Sequence, residues 1–231
     1  MASAQSTGLA SAISSNSDVA TAALTFTEPI TDALSSGASS ETLEERLSSS
    51  WRTLVDVASK TDHKSQEPLV EIVKAVQEQR ISDDEKSKTA TIWRSQVKVF
   101  EDMPLFGASM RSAWNRAPNS SSKDNFSTIE WTNLNAFVAR LTALSLSLSI
   151  PAFNFSLYAI WTLRSAFETS SGDAAAVEAA KMWFLYAGEA IEQLSRDGKS
   201  FEGAIAREGE KYAGKGWKGF SEERLAVWKA G

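Results

Sequence analysis

The chain contains no cysteine. That removes disulfides, thiolate metal sites, thiol nucleophiles and iron–sulfur clusters from consideration. Histidine occurs once, as His63. A single imidazole cannot build a facial triad or a histidine-rich zinc site. No apolar run reaches the roughly 18 residues needed to span a bilayer. The greasiest stretch is interrupted by Ser145, Ser147 and Ser149. The opening MASAQSTGLASAISSNSD has no arginine and no basic residue before an apolar core, which argues against a secretory signal or a mitochondrial presequence. Its low hydrophobicity and six serines in the first 17 residues point to a disordered lead-in over 1–18. Asn-x-Ser at Asn119, Asn125 and Asn154 is then coincidental, and the absent cysteines suit a cytoplasmic location. A formal net charge of −5 is a poor basis for gripping nucleic acid or an anionic membrane.

What is present is a chain of 231 residues that is 42% hydrophobic, enough for a substantial core. Helix punctuation is frequent and strand alternation is scarce. Asp32 to Gly37 closes a first short helix after Pro29. Ser40 caps a second, with Leu43, Leu47, Trp51, Leu54 and Val55 at helical spacing and Glu41, Glu44 and Glu45 at its positive end. Pro68 opens a third, whose stripe is Leu69, Ile72, Val73 and Val76. Ser82 and Glu85 form a capping-box pattern for a fourth carrying Ile92, Trp93, Val97 and Phe100. A short fifth helix starts at Pro104 and ends near Trp114. Ser127 and Glu130 form another capping box for a long helix to about Ser149. Pro151 breaks it, Asn154 caps the next to about Thr169, and Asp173 restarts a helix to about Ser195, with Gly198 beyond. Five glycines make the tail from Lys199 loop-rich, and a last helix follows Ser221. The expectation is an all-α, single-domain orthogonal or irregular helical bundle over 19–231, with a disordered N-terminus.

Three motifs weaken under inspection. GKGWKG, Gly214 to Gly219, matches a dinucleotide fingerprint, but neither the preceding strand nor a parallel sheet is visible. SDDEK, Ser82 to Lys86, resembles an acidic magnesium cluster, yet helix-start acids explain it better. His63 sits in a polar turn and no G-x-S-x-G elbow accompanies it. No metal and no cofactor is expected. The tail also mixes lysines with Tyr212, Trp217 and Phe220, but neighbouring glutamates offset those lysines, so its aromatics are expected to fold back onto the bundle.

The sharper signal is in the two helices flanking Pro151. At about 100° per residue, Trp131 and Asn135 border one side of the apolar arc of the first, and Asn133 and Arg140 the other. The second helix carries Leu157, Trp161, Arg164 and Glu168 at helical spacing. The short connection makes the pair antiparallel. Glu168 then lies level with the asparagines, and Arg140 with Trp161 to Arg164. Two close arginines need a shared acid or an anionic ligand. One reading is a buried ion-pair network neutralised by Glu168 or a remoter acid. The other is a basic, aromatic-walled pocket of Trp131, Asn135, Arg140, Tyr158, Trp161 and Arg164, joined by Arg111 and Trp114.

The segments MPLFGASMRSAWN, WTNLNAFVARL, YAIWTLRSAFE and GFSEERLAVW, in that order, resemble the recurring blocks of a fungal family known as domain of unknown function 3632. The resemblance spans roughly Trp93 to Trp228. The last block differs at Leu225, where an aromatic residue is expected. The resemblance implies a fungal, intracellular helical protein, and it carries no established activity or catalytic residue. It marks Trp114, Trp131, Asn135, Arg140, Trp161, Arg164, Glu168 and Trp228 as positions that bear the pattern.

Two function classes follow. The first is a pocket for a small organic molecule, anionic or apolar, in a cofactor-independent isomerase or cyclase of specialised metabolism. There the arginines hold the anionic part, tryptophans wall the hydrocarbon, and Glu168 acts as general acid or base once desolvation raises its pKa. The second is a non-enzymatic protein–protein interaction module. Homo-oligomerisation is compatible with either; nucleic acid and membrane are not expected as partners.

Overall fold

A computed structural model of the chain describes residues 4–15, 18–79, 89–170 and 172–231. Helices dominate it, and its internal contacts fall into two compact units, Met1–Phe126 and Ser127–Gly231.

The first unit contains α1 (Ala4–Ser15), α2 (Val19–Ser35), α3 (Ser40–Lys60), α4 (Glu67–Gln77), a hairpin of β1 (Thr89–Ile92) and β2 (Ser95–Lys98), and α5 (Phe106–Trp114). Its core gathers Phe26 and Ile30 of α2, Leu47, Trp51 and Leu54 of α3, and Phe106 of α5, all buried. Trp51 stands between the Phe26 and Phe106 rings, at centroid distances of 5.7 and 5.1 Å. Its indole N–H donates to the Pro104 carbonyl at 2.8 Å, so its one polar atom enters the core satisfied.

Three expectations need correction here. Where composition suggests a disordered lead-in, Ala4–Ser15 form α1. Leu9 and Ala12 are buried, and Gln5 donates to the Phe26 carbonyl and the Ser50 hydroxyl. A few well-placed contacts outweigh a serine-rich composition. Pro29 does not precede a short helix but lies inside α2, which begins at its Asp18 cap. Ala22, Ala23, Phe26, Ile30 and Ala33 are buried on both sides of the proline, and that burial offsets the lost backbone hydrogen bond. The expected fourth helix is instead the β hairpin, whose register pairs Thr89 with Lys98 and Ile92 with Ser95. Trp93 and Arg94 make its two-residue turn, both at positive φ (46° and 66°), as a type I′ turn requires. Neither is the glycine or asparagine that normally announces such a turn. Ser82, Glu85 and the rest of SDDEK lie outside the described residues.

The second unit follows its sequence pattern closely. It comprises α6 (Thr128–Leu148), α7 (Ser156–Phe167), α8 (Ala174–Arg196) and α9 (Glu222–Ala230), with a long ordered segment between α8 and α9. Ser127 and Glu130 form the expected reciprocal capping box on α6. Asn154 accepts the Ser156 N–H at 3.1 Å, Asp173 caps α8, and Ser221 caps α9. α6 packs mainly on α8, which also packs on α7, so α8 is the central element.

Asn135 joins these three helices. It is fully buried, and its amide donates to the Trp131 carbonyl one turn back at 2.9 Å. Its carbonyl oxygen accepts the Thr162 hydroxyl of α7 at 2.9 Å and the Trp183 indole N–H of α8 at 2.8 Å. An Asn135→Leu substitution strands both donors in an apolar interior, where each orphaned group costs about 1–3 kcal/mol. The expected result is a loss of about 3 kcal/mol in chemical denaturation, with α-helical circular dichroism retained at low denaturant.

Candidate functional site

Glu168 follows the last residue of α7 and is fully buried. A carboxylate there is tolerated only when its oxygens are occupied. They are: Oε1 accepts the Arg224 Nε–H at 2.8 Å and the Trp228 indole N–H at 2.6 Å. Oε2 accepts an Arg224 terminal N–H at 3.1 Å and the Gly209 backbone N–H at 2.6 Å. Arg224, also fully buried, spends its remaining donors on the carbonyls of Ala206 (2.7 Å), Gly219 (2.9 Å) and Arg207 (3.0 Å). Its guanidinium lies near the Trp217 and Trp228 rings, at 5.3 and 5.1 Å from their centroids. All five N–H groups of the arginine are therefore used, and two donors meet each carboxylate oxygen. A Cβ on Gly209 would run into the Glu168 carbonyl, and one on Gly219 into the Lys199 carbonyl. Glycine at both places lets the segment approach the pair.

GKGWKG belongs to the same segment. Gly214 and Gly216, at positive φ, both donate their N–H to Glu208 Oε1, at 3.2 and 3.1 Å. Such a cradle suits an anion, and here a carboxylate of the same chain fills it. The backbone N–H of Glu208 itself, then those of Gly216 and Gly214, hold this carboxyl below the usual range. The motif is a loop staple rather than a dinucleotide site.

The sequence-marked residues are divided between the two units. Arg111 and Trp114 lie on α5 of the first unit, the others in the second. Trp131 and Asn133 are buried on α6, and Asn135 is the interhelix pin already described. Arg140 lies over the Tyr186 ring of α8, 3.8 Å from its centroid. The expected contact of Glu168 with an asparagine is replaced by the Arg224 pair. Arg140 and Arg164 take different partners.

Tyr158, Trp161 and Arg164 do come together. The Tyr158 and Trp161 rings are 4.9 Å apart. The Trp161 indole donates to the Ile205 carbonyl at 2.8 Å, and Arg164 donates to the Arg207 and Ile205 carbonyls at 3.0 and 3.5 Å. Tyr158, Trp161 and Arg164 are half-buried, Arg207 is exposed, and Ile205 is 49% exposed. Among the described residues, no carboxylate lies within ion-pair distance of Arg164 or Arg207. Burial, then the charge of Arg224, lowers the Arg164 pKa from its ordinary value; Glu168 opposes this and Arg207 adds to it. The result is an aromatic face edged by two arginines.

Sequence reasoning missed Arg224, Gly209, Ile205 and Arg207. Trp228 was marked only through the GFSEERLAVW resemblance, and Arg224 lies one turn before it in the same block. Periodicity could not reveal that the tail supplies the partner of Glu168.

A family model described as a protein of unknown function (DUF3632) matches residues 51–231. No curated protein and no solved structure matches the chain.

Removing one member of a buried pair costs about 3–5 kcal/mol, because the other charge remains in the interior. Glu168→Gln, whose amide would oppose the Arg224 donors, is expected to lose stability of this order in urea. Glu168→Leu combined with Arg224→Met is expected to lose less than the sum of the two single changes, a double-mutant-cycle coupling read from the same melts. The Glu208 staple has its own signature. Its folded pKa lies below the unfolded value, so its contribution is present above the ordinary glutamate pKa and fades as pH falls through the lowered one. The Gly214 and Gly216 amide shifts in NMR are expected to titrate together, with a midpoint below that of an ordinary glutamate.

Proposed function

The chain belongs to the DUF3632 family, and we propose that it is a non-enzymatic protein–protein interaction module. Its second unit would present Tyr158, Trp161, Ile205, Arg164 and Arg207 to an acidic segment of a partner. The observation that carries this reading is the pair of arginines without a carboxylate, edging an aromatic face that the tail leaves partly open. Tryptophan, tyrosine and arginine are the residues that dominate binding energy at protein interfaces, and electrostatic complementarity selects an acidic counterpart.

The enzymatic alternative, a pocket for a small organic molecule served by Glu168 as acid or base, has less support. Four protein donors already occupy the Glu168 carboxylate. Small-molecule sites enclose most of their ligand, whereas Ile205 and Arg207 stand at the surface. The absence of cysteine and the resemblance to a fungal family support a cytoplasmic, fungal setting for the partner. Among the described residues no helix is long and apolar enough to cross a membrane.

Arg207→Glu is the informative variant, since the Arg207 side chain makes no contact on which the loop depends. The protein isolated from its source is expected to carry a stoichiometric protein partner. Arg207→Glu and Trp161→Ala are expected to weaken that complex at least tenfold, about 1.4 kcal/mol, with Arg207→Glu leaving the thermal melt unchanged. A stoichiometric small molecule in native mass spectrometry, with no partner affected by Arg207→Glu, would overturn the reading.

A further inference from the structure

The hairpin of the first unit has two edges, and they differ. Ile92 and Ser95 close the two-residue turn as a hydrogen-bonded pair, so Thr91 and Thr89 on β1, like Gln96 and Lys98 on β2, turn their backbone groups outward. On β2 the end of that outward edge is occupied. The Lys98 N–H donates to the Asp102 carboxylate at 2.7 Å, and the Lys98 carbonyl accepts the Asp102 N–H at 2.9 Å. On β1 the outward groups of Thr89 and Thr91 have no partner among the described residues.

β1 also borders a cleft of about 220 Å³, lined by Thr89, Ala90 and Thr91 on one side and by Ala33, Leu34, Ala38, Ser40 and Leu43 of the α2–α3 region on the other. On the hairpin side it is lined by β1 alone, with no β2 residue. It shares Ala33 and Ala38 with a second cleft, of about 430 Å³, that runs back along α2 past Asp32 and Glu28, with Arg46 of α3 also in its lining, so the two acids exceed the cations there by one. Neither carboxylate has an ion-pair partner among the described residues. At the far end of the edge the Glu44 carboxylate accepts the Trp93 N–H at 2.9 Å and fixes the turn, leaving the Trp93 side chain 66% exposed.

We propose that the β1 edge and the α2–α3 cleft form a docking site for an extended, basic peptide segment, which adds to the hairpin as a third strand. The unpaired backbone groups of Thr89 and Thr91 select an extended chain, because only a strand matches their spacing. The cleft, whose lining mixes the alanines, Leu34 and Leu43 with Ser40 and the two threonines, receives alternate side chains of that strand. Glu28 and Asp32 select a lysine or arginine where the strand continues along α2. The site is separate in residues and in charge preference from the arginine-edged face of the second unit, and neither depends on the other.

The test uses short random peptides displayed on phage, selected against the full chain, followed by synthesis of the enriched sequences. Enriched peptides are expected to carry basic residues beside β-branched ones and to slow exchange of the Thr91 amide. Thr91→Pro removes one outward donor while leaving the pairing with β2 intact, and is expected to weaken binding at least tenfold. Ala38→Arg, which fills the cleft, gives the same result by a route independent of the strand. Glu28→Lys with Asp32→Lys is expected to weaken binding and to abolish its salt dependence. N-methylation of the peptide at alternate positions removes the ladder from the ligand side and is expected to abolish binding. Enriched peptides that bind as helices, that tolerate N-methylation, or that bind Thr91→Pro and Ala38→Arg undiminished would overturn the proposal, as would a selection yielding no binder.

Discussion

The second unit depends on one buried ion pair. Glu168 follows α7 and Arg224 lies in the first turn of α9, and the tail between them supplies Gly209, Ala206, Arg207 and Gly219 to make that burial tolerable. Gly209 and Trp228 complete the carboxylate, and three backbone carbonyls complete the guanidinium. A pair of this kind adds little net stability against an apolar replacement. What it imposes is geometry, because a slipped tail would leave a charge in the interior. The irregular path from Lys199 to Phe220 is thus as determined as any helix, although it has almost no regular secondary structure.

The same economy explains why polar residues marked by their sequence pattern turned out to be joints. Asn135 serves three helices through one side chain. Glu208 fills a glycine cradle that would otherwise suit an external anion. Among the charges that these internal demands leave without an opposite partner are the half-buried Arg164 and the exposed Arg207 in the second unit, and Glu28 and Asp32 in the first. Function is sought where the fold has left charge unspent.

Much of the helical plan was legible in the sequence. The capping box at Ser127 and Glu130, the caps at Asp173 and Ser221, and the proline at the start of α4 mark element ends correctly, while Asn154 lies one residue before the N-cap of α7, which is Phe155. These signals act locally, so one sequence suffices. The hairpin was illegible because Trp93 and Arg94 occupy positive φ without the usual turn residues, and because Ile92, Trp93, Val97 and Phe100 can be laid on a helix. α1 was hidden by composition, which counts residues and ignores which of them are buried. Of the candidate site, the helical stripe of Trp161, Arg164 and Glu168 was visible, but their partners were not. Arg224 lies 56 positions from Glu168, and no periodicity relates them.

That separation orders events in time. Synthesis runs from the N-terminus, so α6, α7 and α8 emerge with Glu168 already committed to the interior they build. Arg224 and Trp228 arrive only after the whole glycine-rich tail has been made. Until then, closing the helices around Glu168 would bury its carboxyl without its charged partner, at the cost of its protonation or of an unpaired charge. The Glu168 site is therefore completed only when α9, which carries both Arg224 and Trp228, has been made.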